Sequence, residues 1–416
     1  EEYIARVDIQ SKTEKQPISY SSNKTEYIMD GDSLNVTIKS KTKNNINIEK
    51  KYIFNKSSHL INVEQKIKNN SNSNVEWRQF NTLHRGPELN GNTMLYTYTG
   101  AAYYDDETKF NKITFEDIEE SNFLYKTASS WIGMIQHYFF TAWIPGNNNL
   151  KQTIYTRKLN NETYLIGIVT DYLLVGPGES AIFNSRLYAG PKTVSEISHI
   201  APGIDLTVDY GVLTFLAAPL FWVLDKLHYI SGNWGWAIIL LTILIKILFF
   251  KLSETSYKSM AKMKKLTPRM NALKERYADD KKKFSEALMK VYKEEKVNPL
   301  GGCLPILIQI PVFIALYWVI IESVEMRHAP FLAWINDLSS QDPYYVLPVL
   351  MGVSMYIQQK LNPPPTDPMQ QKIFLALPFV FTALFATFPS GLVLYWFVNN
   401  ILSITQQYVI NKRLAV

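Results

Sequence analysis

The sequence is poor in the residues that build disulfides and metal sites. One cysteine, Cys303, occurs in 416 residues, which excludes an internal disulfide framework and a cysteine-based metal site. The six histidines (His59, His84, His137, His199, His228, His328) are scattered with no pair at ligand spacing, so neither a metal nor another cofactor is expected. Nucleophile elbows, phosphate loops and internal repeats are missing. Asp105-Asp106-Glu107 and Glu116-Asp117 come nearest to a paired-carboxylate site, but nothing fixes a partner for either. They read as solvated loops or strand ends. Acid is scarce in one further place: no Asp or Glu falls in the middle of any long apolar run. The sequence therefore points away from an enzyme.

What is present divides into two unlike halves, hidden by a mean hydropathy of -0.09. Residues 1 to about 200 are polar and rich in Asn, Ser, Thr, Lys and Tyr. From Tyr27 to Phe80 the pattern keeps returning to period two, as in Ser33-Leu34-Asn35-Val36-Thr37-Ile38 and His59-Leu60-Ile61-Asn62-Val63-Glu64. Lys43-Asn44-Asn45 and Asn69-Asn70-Ser71-Asn72-Ser73 read as turns. The same texture returns at 152–156, 164–169 and 180–183. Many short strands at this spacing predict an antiparallel β-sandwich over residues 1–205. Nothing in this half states its task.

Beyond it lie long apolar runs. Residues 213–230 are apolar over much of a helical surface but are interrupted by Asp225, Lys226 and His228, so an interfacial amphipathic helix is expected within 206–232. Five runs are candidates to cross a bilayer: about 234–252, 303–322, 344–360, 372–388 and 391–409. The third and fourth are short, which local bilayer thinning or burial among other helices accommodates. Trp234, Trp236, Tyr344 and Tyr345 stand at run ends, where amphipathic rings favour the headgroup level. Residues 233–416 are thus expected to form a five-span α-helical core.

Charge sets its orientation. Segment 251–299 holds fourteen Lys and Arg, whereas loop 322–343 has Arg327 against four acids. The positive-inside rule places the basic segment in the cytoplasm, the polar half outside and Lys412-Arg413 inside. An exported domain needs a signal or first anchor upstream of Glu1, and one is expected. Within the basic segment Met263, Leu266, Met270, Leu273 and Tyr277 recur at helical spacing, as do Phe284, Leu288 and Val291. Two amphipathic helices paired as a hairpin over 253–297, turning at 278–280, explain this. Thr267-Pro268 predicts a break in the first arm. The lysines read first as a solvated, topology-setting face, and secondarily as contacts for anionic lipid, ribosomal RNA or a nascent chain.

Lys246 is the residue that demands explanation. It lies inside the apolar run 236–250, where a cation costs at least ~2.5–3.5 kcal/mol and is normally kept for function. Thr242 is one turn earlier, and Gln309, Asn399 and Asn400 are polar groups on other spans. With no buried acid to pair with, the lysine needs a hydrated cavity. The competing reading has it snorkel to the cytoplasmic interface.

Several motifs resemble the YidC/Oxa/Alb family of membrane insertases. They are Gly232-Asn233-Trp234-Gly235-Trp236, the stretches 257–263 and 292–303, Gln341-Asp342-Pro343-Tyr344-Tyr345, 367–372, and Phe388-Pro389-Ser390-Gly391 running on to Trp396. The likeness covers 210–416 in order. The polar half is similar, in position and texture, to the periplasmic β-supersandwich of the Gram-negative members. The resemblance implies a multi-domain inner-membrane protein, with that periplasmic domain followed by five helices around a hydrophilic groove. The groove is open to cytoplasm and lipid. It would insert and help fold membrane proteins, alone or with the Sec translocon. Nascent membrane proteins and lipids are the implied partners, with the ribosome a further candidate and DNA not. Lys246 stands where the family usually has arginine; Thr242, Gln309, Tyr395 and Trp396 match groove positions. Thr387 stands where the family often has tryptophan. The rival reading is a secondary transporter with Lys246 in its substrate site.

Overall fold

The computed structural model describes residues 3–13, 17–86, 97–146, 150–159, 163–277, 280–295, 297, 304–362 and 368–413. Ala278, Asp279, Lys296, the stretch 298–303 with Cys303, and Asp367 lie outside the described residues. The chain divides after Asp209 into two units, close to the boundary expected at residue 205.

In the first unit the alternating segments are strands. Among the described residues there are fourteen: β1 (Tyr3–Ser11), β2 (Ser33–Lys41), β3 (Ile46–Asn55), β4 (Leu60–Asn69), β5 (Val75–Arg85), β6 (Gly100–Asp105), β7 (Lys109–Ile113), β8 (Leu124–Thr127), β9 (Ser130–Ile135), β10 (Phe139–Pro145), β11 (Gln152–Leu159), β12 (Thr163–Thr170), β13 (Leu173–Val175) and β14 (Ser180–Pro191). One antiparallel sheet runs β1-β5-β12-β11-β8 with β13 beside β5. The other runs β2-β3-β4-β14-β10-β9-β6-β7. Their inner faces meet around Val63, Leu83, Trp143, Ile154 and Ile166. Polar side chains cross between the sheets as well. Trp143 Nε1 donates to the Thr82 carbonyl at 3.2 Å, Gln79 to Gln65 at 2.8 Å, and buried Lys50 to the Val7 carbonyl at 2.9 Å. Each satisfies a buried donor, and Lys50 also reaches the Asp8 carboxylate at 3.3 Å.

The two acidic clusters have structural uses. Asp105 ends β6 and is buried, not solvated, because its carboxylate closes the turn to β7. It accepts from the Glu107 and Thr108 amides at 2.7 and 2.9 Å. Glu116-Asp117 opens a short helix, α1 (Phe115–Glu120), rather than a loop. Asp117 and Thr114 cap each other reciprocally there, at 2.8 and 3.1 Å. A single turn, α2 (Val194–Ile197), follows the sandwich.

The second unit is helical. Helix α3 (Thr214–Ser231) ends at Gly232, whose left-handed φ of 67° lets its N–H reach the His228 carbonyl at 2.7 Å. Asn233 then caps α4 (Trp234–Leu248), accepting from Gly235 and Trp236 at 2.9 and 3.2 Å. After Phe249 the chain bends by 68° into α5 (Phe250–Arg276), so the apolar run expected over 234–252 is cut at residue 249. The break expected at Thr267-Pro268 is not there: α5 runs through Pro268. Packing on both sides carries it across. Tyr257 and Met260 cluster with Ile410, and Met270 meets the Tyr292 hydroxyl at 3.9 Å on α6 (Lys281–Glu294). An interior proline costs about 3 kcal/mol, which buried contacts of this kind offset.

Helices α7 (Leu304–Glu322), α8 (Val346–Leu361), α9 (Pro368–Phe385) and α10 (Ser390–Arg413) follow. The motif residues between them fix helix ends. Asp342 accepts from the Leu347 and Tyr344 amides at 2.7 and 3.0 Å and from Trp334 Nε1 at 2.9 Å, which pins the start of α8. Ser390 and Gly391 donate backbone N–H groups to Ser340 and Leu338 at 2.7 and 2.9 Å, tying the start of α10 to the preceding loop. Among the described residues, Gly211–Ser231 is long and apolar enough to cross a membrane. The bent pair α4–α5 qualifies only as one span, and Leu307–Glu322 and Gln371–Phe385 are shorter apolar helices. By length and composition, then, the helix expected at the interface also meets the requirement for a span.

Candidate functional site

Lys246 sits in the last turn of α4, on the side packed against α10. Its ammonium turns inward and donates to Ser403 Oγ at 2.7 Å. The Ser403 hydroxyl passes its own proton to the Asn399 carbonyl, also at 2.7 Å. The Asn399 side chain accepts from the Gln309 amide of α7, and that amide also donates to the Tyr395 hydroxyl at 3.1 Å. A polar chain therefore joins α4, α10 and α7. A second link runs from Asn400 to Ser354 of α8 at 3.1 Å. Among the described residues no carboxylate lies within ion-pair distance of Lys246.

This polar chain borders a cavity of about 310 Å³. Lys246, Gln309, Asn399, Asn400, Ser403 and Trp396 line one side of it, and Phe374, Leu377 and Phe381 of α9 the other. Trp396 is held edge-on against Phe313 at 4.6 Å. Lys246, Gln309 and Trp396 thus line the same cavity. Tyr395 is buried behind Gln309 as its hydrogen-bond acceptor. Thr242 does not join them: it is fully buried and donates its hydroxyl to the Ile238 carbonyl of its own helix at 2.7 Å.

The hairpin residues lie elsewhere. Met270 is buried between α5 and α6, Met263 is half-buried, and Tyr277 closes α5. Arg269 clamps the two helices through Glu294 and Glu295 at 3.1 and 2.9 Å. It is Tyr257 of α5 that reaches the cavity. Ser403 and Tyr257 were not singled out from sequence. A signal existed for the first, because Asn399, Asn400, Ser403 and Gln407 recur at helical spacing on one run, and all four are buried.

Chemically, the site offers a cation, neutral amides and hydroxyls beside aromatic and aliphatic walls. Ser403 and Lys246 stand as a hydroxyl–amine pair, but the lysine donates as the ammonium and the hydroxyl donates to the Asn399 carbonyl, so neither is disposed as a base or a nucleophile. Among the described residues no group of His, Cys, Asp and Glu is placed to hold a metal. What the site can do is attract a negative or polar group into an otherwise apolar bundle.

Comparison with known proteins bears on the whole chain. A family model described as the YidC periplasmic domain matches residues 1–223, and one described as the 60Kd inner membrane protein matches residues 226–415. A relative from Methylobacillus flagellatus named Membrane protein insertase YidC is 49% identical over 401 residues, covering 96% of this chain and 72% of the relative. One of the same name from Thioalkalivibrio sulfidiphilus is 51% identical over 387 residues, covering 92% and 69%. A solved structure described as an active YidC insertase with its first transmembrane domain resolved is 19% identical. It covers 97% of this chain and 83% of its own, with a TM-score of 0.47. With both halves matched in order, and about half the residues shared with relatives over nearly the full length, the chain belongs to the YidC family of inner-membrane proteins with a periplasmic domain.

Proposed function

We propose that this protein inserts hydrophobic protein segments into the inner membrane and helps them fold, without making or breaking covalent bonds. The observation that carries the reading is Lys246, held at Ser403 on the wall of a cavity that sets amides and hydroxyls against aromatic and aliphatic side chains, with no carboxylate among the described residues to neutralise it. A polar or acidic stretch that must cross meets a cation and amides there instead of hydrocarbon. The following apolar helix leaves sideways and gains ~25 cal/mol per Å² of apolar surface transferred to lipid.

In this reading α4 and α7 to α10 are the five spans, and the basic α5–α6 hairpin is cytoplasmic. The hairpin receives or gates the substrate, with Met263 and Tyr277 on its partly exposed surface and Met270 in the seam that holds its two helices together. Helix α3 lies along the outer interface, where Asp225 and Lys226 stay wet. Nascent membrane proteins and lipids are the partners, with a Sec-type translocon and the ribosome cooperating.

The test is photocrosslinking. A probe at Phe381 or Trp396, on the cavity, should capture a translation-arrested nascent single-span protein. A probe at Leu350, an exposed position on α8 away from the cavity, should not. Equal capture from both places would remove the groove from the mechanism.

A further inference from the structure

A second cavity, also about 310 Å³, touches Lys246 from another face of α10. Its α10 wall is Leu402, Thr405, Gln406 and Val409, not the Asn399–Ser403 face that lines the first. Ile243 and Ile247 of α4 and Phe250 of α5 complete it. The lining is apolar and its rim is open: Ile247, Phe250 and Val409 are 67%, 43% and 41% exposed. A helix, ~10–12 Å across with its side chains, is too wide for such a space. An acyl chain is not.

Polar groups mark one end and the side. Arg413 lies at the end where α10 packs near the basic helix α5, next to Lys412 in the last turn. Among the described residues Arg413 has no carboxylate within ion-pair distance. Glu254 also lines this end, but Lys258 engages it at 2.7 Å. The Gln406 amide is buried with neither its nitrogen nor its oxygen hydrogen-bonded.

We propose that this cavity is a binding site for one anionic phospholipid of the cytoplasmic leaflet. An acyl chain lies between α4 and α10, and the phosphate is held by Arg413. Charge complementarity selects an anionic headgroup over a zwitterionic one. The proposal rests on the reading that these helices sit in a bilayer.

The test uses the purified full chain in detergent and native mass spectrometry. Phosphatidylglycerol and phosphatidylcholine with identical acyl chains are titrated in parallel. The wild type should retain one phosphatidylglycerol in preference to phosphatidylcholine. Arg413→Ala should cut that preference about fivefold, the effect of one basic residue near a lipid headgroup. Val409→Trp, which fills the cavity, should abolish retention. Because that variant risks misfolding, a photoreactive residue at Thr405 gives an independent measure and should capture a diazirine-bearing phosphatidylglycerol. Equal retention of both lipids by the wild type, an intact preference in Arg413→Ala, or no capture from Thr405 overturns the site. Nascent-chain capture from Trp396 reads the insertase function separately. If that capture persists without lipid preference, only the lipid site fails; if it vanishes while the preference stands, only the insertase reading fails.

Discussion

The ammonium of Lys246 and the hydroxyl of Ser403 meet at 2.7 Å across the α4–α10 seam, a contact that holds a cation inside the helical unit. A hydroxyl orients the charge without cancelling it, so the field of Lys246 remains available to whatever enters the neighbouring cavity. A carboxylate in the same place would consume it.

The first prediction concerns the charge itself. A unit charge acting at ~8 Å through an effective dielectric of ~20 is worth about 2 kcal/mol. Lys246→Ala should therefore slow insertion of a substrate with an acidic leading segment at least ~tenfold. Lys246→Arg should retain most of the activity, since arginine keeps the charge and can still donate to Ser403. Complementation of an insertase-depleted strain, with insertion followed by protease protection, decides between them. Equal complementation by Ala and Arg would show that the charge is not needed.

Ser403→Asp separates stability from function. The new carboxylate lies within reach of Lys246 and forms an ion pair shielded by α4 and α10. Melting temperature should hold or rise, while insertion falls to the level of Lys246→Ala because the charge is neutralised. Ser403→Ala, which removes the hydrogen bond from the Lys246 ammonium together with the one to the Asn399 carbonyl, should cost roughly 1.5–3 kcal/mol of stability and leave most insertion intact. Undiminished insertion by Ser403→Asp would sink the idea of an exposed field.

How far the sequence reaches can be judged residue by residue. Lys246 was legible because a cation in an apolar run is costly enough to need a reason. Ser403 was not, since a serine in a helical run is unremarkable until α4 and α10 are known to be neighbours. Thr242 was assigned to the lysine's face by spacing alone, but a threonine hydroxyl can return to its own helix, and this one reaches Ile238. In the sandwich, β2, β4, β11 and β14 announce themselves by alternation. Strand β9, Ser130–Ile135, does not: it lies mid-sheet between β10 and β6, with all six residues buried. A strand covered on both faces loses the period-two signal. Pro268 shows the reverse case, a local break signal overruled by packing.

Helices α8 and α9 make a close approach that a double-mutant cycle can measure. A Cβ added at Gly352 would stand 1.9 Å from Thr382 Oγ1, closer than atoms tolerate. Gly352→Ala should therefore destabilise the helical unit by about 1–3 kcal/mol through overpacking. Thr382→Ala removes the oxygen, although the remaining carbon at 3.2 Å keeps the fit tight. The double variant should recover much of the loss, giving a coupling energy of about 0.5–3 kcal/mol in denaturant titrations. Strict additivity of the two changes would mean the helices do not meet at this point.

The last prediction is one of pH, in the sandwich. Burial alone would raise the pKa of Asp105. The Thr108 hydroxyl and amide and the Glu107 amide, all donating to its carboxylate, outweigh that and hold it below the usual carboxylate range. A folded-state pKa below the unfolded value of ~3.9 means that ionised Asp105 stabilises the fold at neutral pH. That contribution is complete above the unfolded pKa and is lost as pH falls through the folded one. Asp105→Asn keeps the size but not the charge, and its amide cannot accept on both sides. The variant should melt lower than wild type at pH 7, and the gap between them should close as the pH is taken from about 5 down towards 2. Thermal melts of the full chain, followed by tryptophan emission across that range, measure it. A gap that stays constant with pH would show that the carboxylate's charge contributes nothing to closing the β6–β7 turn.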